Sequence, residues 1–406
     1  MGFIRQLTGV RFFAAFWVLM YHYQPALAHA GVLFPVMHEV LRVGSLGVDL
    51  FFALSGFILT YTYLTKLGPA LRRKTAGHFL WLRLARIYPV HFVMLNVAGL
   101  AVLAAGLAGE TTDKSWLNPW EYVKQLLLIQ EWGPNPSRGW NFIAWSLSME
   151  WLAYLLMPLI ALVLWRVRDR LAAWGLALVA FLCLIPLLAL GLTAISDPLR
   201  DPYLVGGWSS TIRVLTEFTA GAFVYLVVRR LSADAGPSPK VRQISRLLTW
   251  SIPAVIVLLS VALGNIGPLQ WAGLPNEAPK LYVIIIPFLV LWVGALALNS
   301  GGPAAFLSHR LVVLGGFISY SLYMVHVIWY GLWRAGMRFI GFNGGILYLI
   351  GVLGLIVMAV VFAYLMWRFV EEPAREWLRA KVGERPKPVE EVAIESDTPL
   401  GEPTKS

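Results

Sequence analysis

Long apolar segments, separated by short polar ones, follow one another along almost the whole chain. A helix that spans a bilayer needs roughly 20 mostly apolar residues. On that rule the pattern predicts about ten transmembrane helices, the third of them long enough to tilt or break. They lie near 8–28, 44–64, 79–107, 141–165, 172–194, 211–228, 247–267, 281–299, 312–333 and 345–368. The predicted fold class is all-α: a polytopic membrane helix bundle over residues 1–380 with no appended soluble domain.

The composition agrees with this pattern and narrows the chemistry. Hydrophobic residues make up 58% of the chain and charged residues 14%, whereas soluble domains are roughly one-quarter charged. The single cysteine, Cys183, excludes a disulfide framework and a cysteine-rich metal site. No Gly-rich phosphate loop and no zinc-ligand spacing occurs. We therefore expect no metal and no bound cofactor, so the chemistry must rest on histidines and carboxylates.

The net charge of +11 is explained by membrane orientation. The basic residues form short clusters between apolar runs, which is typical of topology determinants and not of nucleic-acid binding. With both termini in the cytoplasm, the inner segments hold most lysines and arginines and the outer segments keep few, Arg213 among them. We expect a multi-pass protein with cytoplasmic termini, whose first helix is retained because no convincing cleavage site follows it.

Two segments outside the predicted helices carry further expectations. Within the outer loop at about 108–140, the stretch from Glu121 to Gln130 is amphipathic, and we expect it on the membrane surface as a lid over an outward-facing cavity. After Arg379 the chain is rich in proline and acidic residues with few aromatics. Such a segment buries too little apolar area to fold alone, so residues 381–406 are predicted to form a disordered cytoplasmic tail.

Ionisable residues inside spanning helices are functional candidates, because they are expensive to bury in a bilayer. Arg11 and His22 are eleven positions apart, which places them about 20° from one face and roughly 16 Å apart along a helix. Both can line one cavity, with the arginine holding a phosphate and the histidine transferring protons. The alternative is that Arg11 snorkels to the lipid headgroups and His22 bonds a neighbouring helix. We favour snorkelling for Arg11 taken alone and function for His22.

The second predicted helix contains a carboxylate, Asp49, near its outer end. Asp49 either orients His22, as the third group of a catalytic triad does, or caps the start of its helix. The two interpretations are equally supported by the residues. Ser55 and Gly56 are interpreted as close-packing residues.

Five further residues are candidates on weaker grounds. Arg83 and Arg86 share a helix face and suit a nucleotide phosphate, although orientation alone also places arginines there. Glu150 lies among aromatics. Three roles are open to it, namely acid–base chemistry, binding of sugar hydroxyls and bridging of helices, and bridging is favoured slightly over the other two. Glu217 and His326 are weaker alone, since a lone intramembrane histidine is often an interhelical hydrogen bond.

Taken together, these segments resemble the integral-membrane acyltransferase family 3, which O-acylates bacterial polysaccharides, lipopolysaccharides, peptidoglycan and other glycosylated molecules. The resemblance runs almost end to end and departs at Trp151, where many members have a second acidic residue. It rests on Arg11 and His22 with ten residues between them, Arg83-x-x-Arg86 before Tyr88-Pro89, Gly47-Val48-Asp49-Leu50-Phe51-Phe52 with Leu54-Ser55-Gly56-Phe57, Trp145-Ser146-Leu147-Ser148-Met149-Glu150, Ile318-Ser319-Tyr320-Ser321-Leu322-Tyr323 with His326, and Val370-Glu371-Glu372-Pro373-Ala374.

The resemblance implies an acyltransferase in the bacterial cytoplasmic (inner) membrane. Its donor would be acyl-CoA, with acetyl-CoA preferred, entering from the cytoplasm past Arg11, Arg83 and Arg86. Its acceptor would be a carbohydrate or lipid-linked glycan. His22 would be the essential residue, acting as general base on the acceptor hydroxyl with Asp49 as its partner, or forming an acyl-histidine intermediate. Many relatives carry a further hydrolase-like domain, and we expect a stand-alone form here.

The main alternative function is a secondary transporter or flippase. His22, Asp49, Glu150 and Glu217 would then form a proton relay through the bundle. Transporters of that kind usually show two matching halves with broken helices, and no such repeat is visible in the chain. A sensor or scaffold without chemistry would not need several ionisable groups in the membrane. The sequence therefore favours the enzyme.

Overall fold

The computed structural model describes residues 4–107, 117–133, 139–193, 207–232, 236–265, 278–341 and 344–384. Every regular element within these ranges is helical. The all-α fold class is therefore confirmed. The predicted disordered tail begins in the described part, at residues 381–384, and its residues 385–406 lie outside it.

Fourteen α-helices follow one another in the described ranges. They are α1 (Arg5–His29), α2 (Pro35–Arg42), α3 (Leu46–Leu67), α4 (Arg73–Leu107), α5 (Pro119–Leu126), α6 (Trp145–Val167), α7 (Ala173–Thr193), α8 (Gly207–Leu231), α9 (Pro239–Asn265), α10 (Ile286–Ala297), α11 (Pro303–Leu307), α12 (Arg310–Ile340), α13 (Gly345–Met366) and α14 (Glu372–Ala380). Short 3₁₀ segments at Phe142–Ala144 and Ala278–Ile285 precede α6 and α10, and a π-helical turn at Trp367–Glu371 joins α13 to α14.

Each of the ten predicted segments coincides with a helix, but two of them are weaker spans than the pattern indicated. Eight described helices are long and apolar enough to cross a membrane. The apolar helix Leu281–Ala297 is shorter than these. The helix α1 is not among the eight because Arg5, Arg11 and His22 lower its hydropathy. The count of about ten is thus approximate.

Close helix crossings hold the centre of the bundle together. A Cβ atom added at Gly56 on α3 would collide with the carbonyl of Phe218 on α8, and one at Gly221 on α8 would collide with the carbonyl of Ala53. On α12, a Cβ at Gly316 would collide with the carbonyl of Thr8 on α1. Small residues let helix backbones approach in this way. The close-packing interpretation of Gly56 is confirmed, and α1, α3, α8 and α12 form the interior.

The long third segment forms one continuous helix, α4, which runs through Pro89 without a break. Its first turns pack against α14 at the end of the described chain. The indole nitrogen of Trp81 donates to the carbonyl of Leu378 at 2.8 Å, and His78 pairs with Glu384 at 3.0 Å. The helix is longer than a bilayer requires because its first part lies beside α14.

The amphipathic segment from Glu121 to Gln130 differs from the expectation. It lies partly inside the bundle, because its amides hydrogen-bond to backbone carbonyls there. Gln125 donates to the carbonyl of Gly139 at 3.0 Å, and Gln130 donates to that of Ala144 at 2.8 Å. Both glutamines are about 1% exposed, whereas Leu127 in the same segment remains exposed at 56%. Only one face of the segment can meet the membrane surface.

Candidate active site

The helices α1 and α12 bring two candidate histidines into direct contact. The Nδ1 atom of His22 lies 3.1 Å from Nε2 of His326, and the ring centroids are 4.9 Å apart. Nδ1 of His22 also lies 2.9 Å from the carbonyl oxygen of Val18, one turn earlier in α1. His326 is fully buried and His22 is half-buried. Two candidates from distant parts of the sequence therefore form one pair.

A small polar cavity lies inside the bundle and is bordered by α1, α3, α6 and α12. Its volume is about 50 Å³. It is lined by Arg11, Ser55, Glu150, Tyr320 and Tyr323, among others. Tyr323 lies about one helical turn before His326 on α12, and the two histidines themselves do not line the cavity.

The charges around the cavity come from four helices. The Arg11 guanidinium lies within electrostatic reach of Arg86, Glu150 and Glu371. Tyr154 donates a hydrogen bond to Glu150 on the same helix. Arg11 therefore points into the bundle, and the snorkelling interpretation of this residue is wrong. Its guanidinium carbon lies 5.3 Å from the ring centroid of Phe51 on α3, and the side chain lines the cavity.

Glu150 lies within electrostatic reach of Arg11 on α1, so its role as a helix bridge stays a prediction. Its hydrogen bond goes to Tyr154, four residues later in the same helix α6, and its side chain lines the cavity. Ser55 also lines the cavity, so it is more than a packing residue.

The two arginines of α4 lie near the same region but have different surroundings. Nη2 of Arg83 donates to the hydroxyl of Tyr63 at 3.0 Å, and its guanidinium carbon lies 5.2 Å from the ring centroid of Tyr63. Arg86 lies nearer the cavity and within electrostatic reach of Arg11. Both are half-buried. Their role in binding an anion stays a prediction.

Asp49 does not partner His22, and that expectation is wrong. Its carboxylate accepts two hydrogen bonds from Arg213 on α8, at 2.8 Å from Nε and 2.7 Å from Nη2. Both residues are buried, with exposures of 1% and 2%. A buried carboxylate needs a charged partner, and a bidentate guanidinium satisfies it better than a neutral imidazole. Nor does Asp49 cap its helix, since Ser45 occupies that position.

Arg213 and Glu217 form part of the same buried group. Nε of Arg213 lies 3.9 Å from Oε1 of Glu217, and both side chains are almost fully buried. The sequence interpretation counted Arg213 among the outer charges and so missed it. The sequence feature that indicates this buried group is an arginine and a glutamate four residues apart in an apolar helix. Glu217 thus belongs to the Asp49–Arg213 group, and the histidine pair lies elsewhere.

A second missed residue is the carboxylate Glu131, which follows the amphipathic segment. Glu131 is fully buried, and the hydroxyl of Ser210 on α8 donates to its Oε1 at 3.1 Å. Its backbone nitrogen donates to the hydroxyl of Ser148 on α6 at 3.3 Å. Loop residues give no periodic pattern, so nothing in the sequence indicated this burial.

Comparison with known proteins identifies the family. The sequence model of the family described as "Acyltransferase domain", acyltransferase family 3, matches residues 4–368. The chain belongs to this acyltransferase family. It is similar to "Acyltransferase MdmB" of Streptomyces mycarofaciens, with 29% identity over 345 residues that cover 80% of this chain and 79% of the relative. No solved structure matches.

Membership of acyltransferase family 3 confirms the resemblance drawn from the motifs and makes the chain a membrane-embedded enzyme that transfers acyl groups other than amino-acyl groups. Among the motif residues of this acyltransferase, Arg11 and Glu150 line the cavity, and His22 contacts His326. Among the described residues, no group of three or more histidines, cysteines or carboxylates could hold a metal ion.

Proposed function

We propose that this acyltransferase moves an acyl group, with acetyl preferred, from acyl-CoA to a hydroxyl of a carbohydrate acceptor. Acceptors of this class are an exopolysaccharide, an O-antigen and a lipid-linked glycan. The observation that carries the proposal is the arrangement along α1, where Arg11 lines the polar cavity and His22 follows beside His326. A cation and a base then lie on one path through the membrane.

The donor side of the path is supported by the arginines. With the N-terminus in the cytoplasm, Arg11, Arg83 and Arg86 lie between the cytoplasmic surface and the histidine pair. A guanidinium keeps its charge at all physiological pH values and matches phosphate oxygens geometrically. The phosphates of acyl-CoA would be held there, with the thioester arm directed through the cavity toward His22.

The chemistry is a direct transfer with His22 as general base. The acceptor oxygen attacks the thioester carbonyl carbon while its hydroxyl proton passes to His22. The carbon–sulfur bond then breaks, and the proton returns to the departing sulfur, which leaves as the thiol of CoA. The products are the ester and CoA, so His22 ends in its starting form.

The transporter alternative loses part of its support. A proton relay would need His22, Asp49, Glu150 and Glu217 to form a chain. Asp49 is instead fixed by two hydrogen bonds to Arg213, which separates it from the histidines. The family match is to acyltransferases.

The test is mass spectrometry of surface glycans from bacterial cells that express the wild type, His22→Ala or His309→Ala at equal membrane abundance. His309 is exposed at the start of α12 and serves as the control. We expect an acyl mass increment with the wild type and the control and none with His22→Ala. An increment that persists in His22→Ala contradicts the base role. No increment in any strain contradicts the carbohydrate acceptor.

A further inference from the structure

The hydrogen bonds of His326 determine which of its ring nitrogens carries the proton. Nδ1 of His326 lies 2.7 Å from the carbonyl oxygen of Tyr323 and 3.2 Å from that of Leu322. Carbonyl oxygens only accept hydrogen bonds, so Nδ1 must be the donor. In a neutral imidazole the other nitrogen then has a free lone pair. Nε2 of His326 is therefore an acceptor.

The same reasoning continues to His22. Its Nδ1 faces two acceptors, Nε2 of His326 at 3.1 Å and the carbonyl of Val18 at 2.9 Å. Nδ1 of His22 must carry the proton that both of them accept. Nε2 of His22 is then left without a proton, with its lone pair directed away from His326.

The surroundings hold His326 in this orientation. It is fully buried, and its backbone carbonyl accepts a hydrogen bond from the Tyr23 hydroxyl at 2.9 Å. The rings of Tyr23 and Tyr323 lie 6.4 Å and 5.8 Å from the imidazole, centroid to centroid. The ring cannot turn without breaking its contacts with two backbone carbonyls.

We propose that His326 is a positioning residue that selects the tautomer of His22 and makes Nε2 of His22 the nitrogen that accepts the substrate proton. This role rests on the proposed acyl transfer. His326 takes the place that a carboxylate occupies in a Ser-His-Asp triad. The bond that forms during the step is Nε2–H on His22, and the bond that breaks is the acceptor O–H.

His326 also stabilises the charged state of the step. When His22 gains the proton it becomes an imidazolium, and its Nδ1–H bond to Nε2 of His326 becomes charge-assisted and stronger. The carbonyls of Leu322 and Tyr323 on the far side of His326 direct their negative ends toward the pair. The positive charge is therefore shared with His326, which touches no substrate.

The kinetic test compares His326→Gln with His326→Leu. The glutamine oxygen extends about as far as Nε2 does and can accept the Nδ1–H bond, whereas leucine fills the space without an acceptor. Acetyl transfer from acetyl-CoA to the surface glycan is followed in membranes. We expect His326→Leu to lower kcat by about 10²-fold with KM for acetyl-CoA unchanged, and His326→Gln to keep most of kcat. An unchanged kcat in His326→Leu, or equal losses in both variants, overturns the proposal.

A second readout is independent of acyl transfer. Nitrogen NMR of protein labelled at its histidines distinguishes a protonated from an unprotonated ring nitrogen, and His22→Ala assigns the His22 signals. We expect Nδ1 protonated and Nε2 unprotonated in the wild type and in His326→Gln. A protonated Nε2 on His22 overturns the proposal whether or not the enzyme is active. If the wild type shows the expected tautomer but transfers no acetyl group, only the proposed acyl transfer is contradicted.

Discussion

At the residue scale, the buried ion pair with Arg213 engages the Asp49 carboxylate, which the sequence had offered as a partner for His22. Two buried charges with good geometry gain little over apolar residues, but a single unpaired one is strongly destabilising. The pair therefore fixes α3 against α8 in one register. The histidine that needs a partner finds it on α12 instead.

Removing one member of this pair should destabilise the fold. In Arg213→Met the Asp49 carboxylate stays buried without its cation, which should cost about 3–5 kcal/mol. The measurement is thermal unfolding of the protein in detergent, with Arg310→Met, an exposed arginine at the start of α12, as the control.

The double variant Asp49→Leu with Arg213→Met should recover part of the lost stability, because the Asp49 charge is removed together with its partner while Glu217 stays buried. An Arg213→Met protein as stable as the Arg310→Met control would show that Asp49 is not buried with Arg213. That outcome would also reopen Asp49 as a partner for His22.

At the element scale, the bundle depends on helix pairs whose backbones nearly touch. In lipid there is little hydrophobic drive between helices, so association relies on close van der Waals packing at small residues. Gly56 and Gly221 provide this on α3 and α8, each facing a backbone carbonyl of the other helix. The same crossing brings Asp49 next to Arg213, so helix packing and the ion pair depend on each other.

A single methyl group should disturb this crossing. Gly56→Ala places a Cβ against the carbonyl of Phe218, and the overpacking should cost about 1–3 kcal/mol. Gly354→Ala on α13 is the matched control, since a Cβ there meets nothing within 4 Å. In the control, alanine's better helix propensity leaves stability unchanged or slightly raised. Equal melting temperatures for the two variants would contradict the close approach.

At the scale of the whole molecule, the proposed path needs a defined orientation in the membrane. The donor arginines lie toward the N-terminal end of α1 and His22 toward its C-terminal end. A donor from the cytoplasm meets the arginines first only when the N-terminus is cytoplasmic. The basic residues favour that orientation through the positive-inside rule.

Cysteine labelling tests this orientation, starting from Cys183→Ala, because Cys183 is the single native cysteine. Phe34→Cys before α2 and Lys240→Cys in the first turn of α9 introduce exposed thiols. A membrane-impermeant thiol reagent on right-side-out vesicles should label Phe34→Cys at once and Lys240→Cys only after permeabilisation. The reverse pattern would place the arginines outside and contradict acyl-CoA entry from the cytoplasm.

The sequence by itself determined where the helices lie and how the polar residues are spaced along α1. Helix positions depend on local runs of apolar residues whose length is set by bilayer thickness, so the predicted segments coincide with helices in the structure. The spacing of Arg11 and His22 likewise needed only one helix. Family membership was accessible for the same reason, because the motifs are short and local.

Only the tertiary structure decided which polar groups meet. His22 and His326 are 304 positions apart, and Asp49 and Arg213 are 164 apart. Periodicity reports which face of a helix is polar, but it contains no information on which other helix packs there or at what depth. Those choices follow from the close glycine crossings and from the need to neutralise each buried charge. As a result, Asp49 pairs with Arg213, and His22 contacts His326.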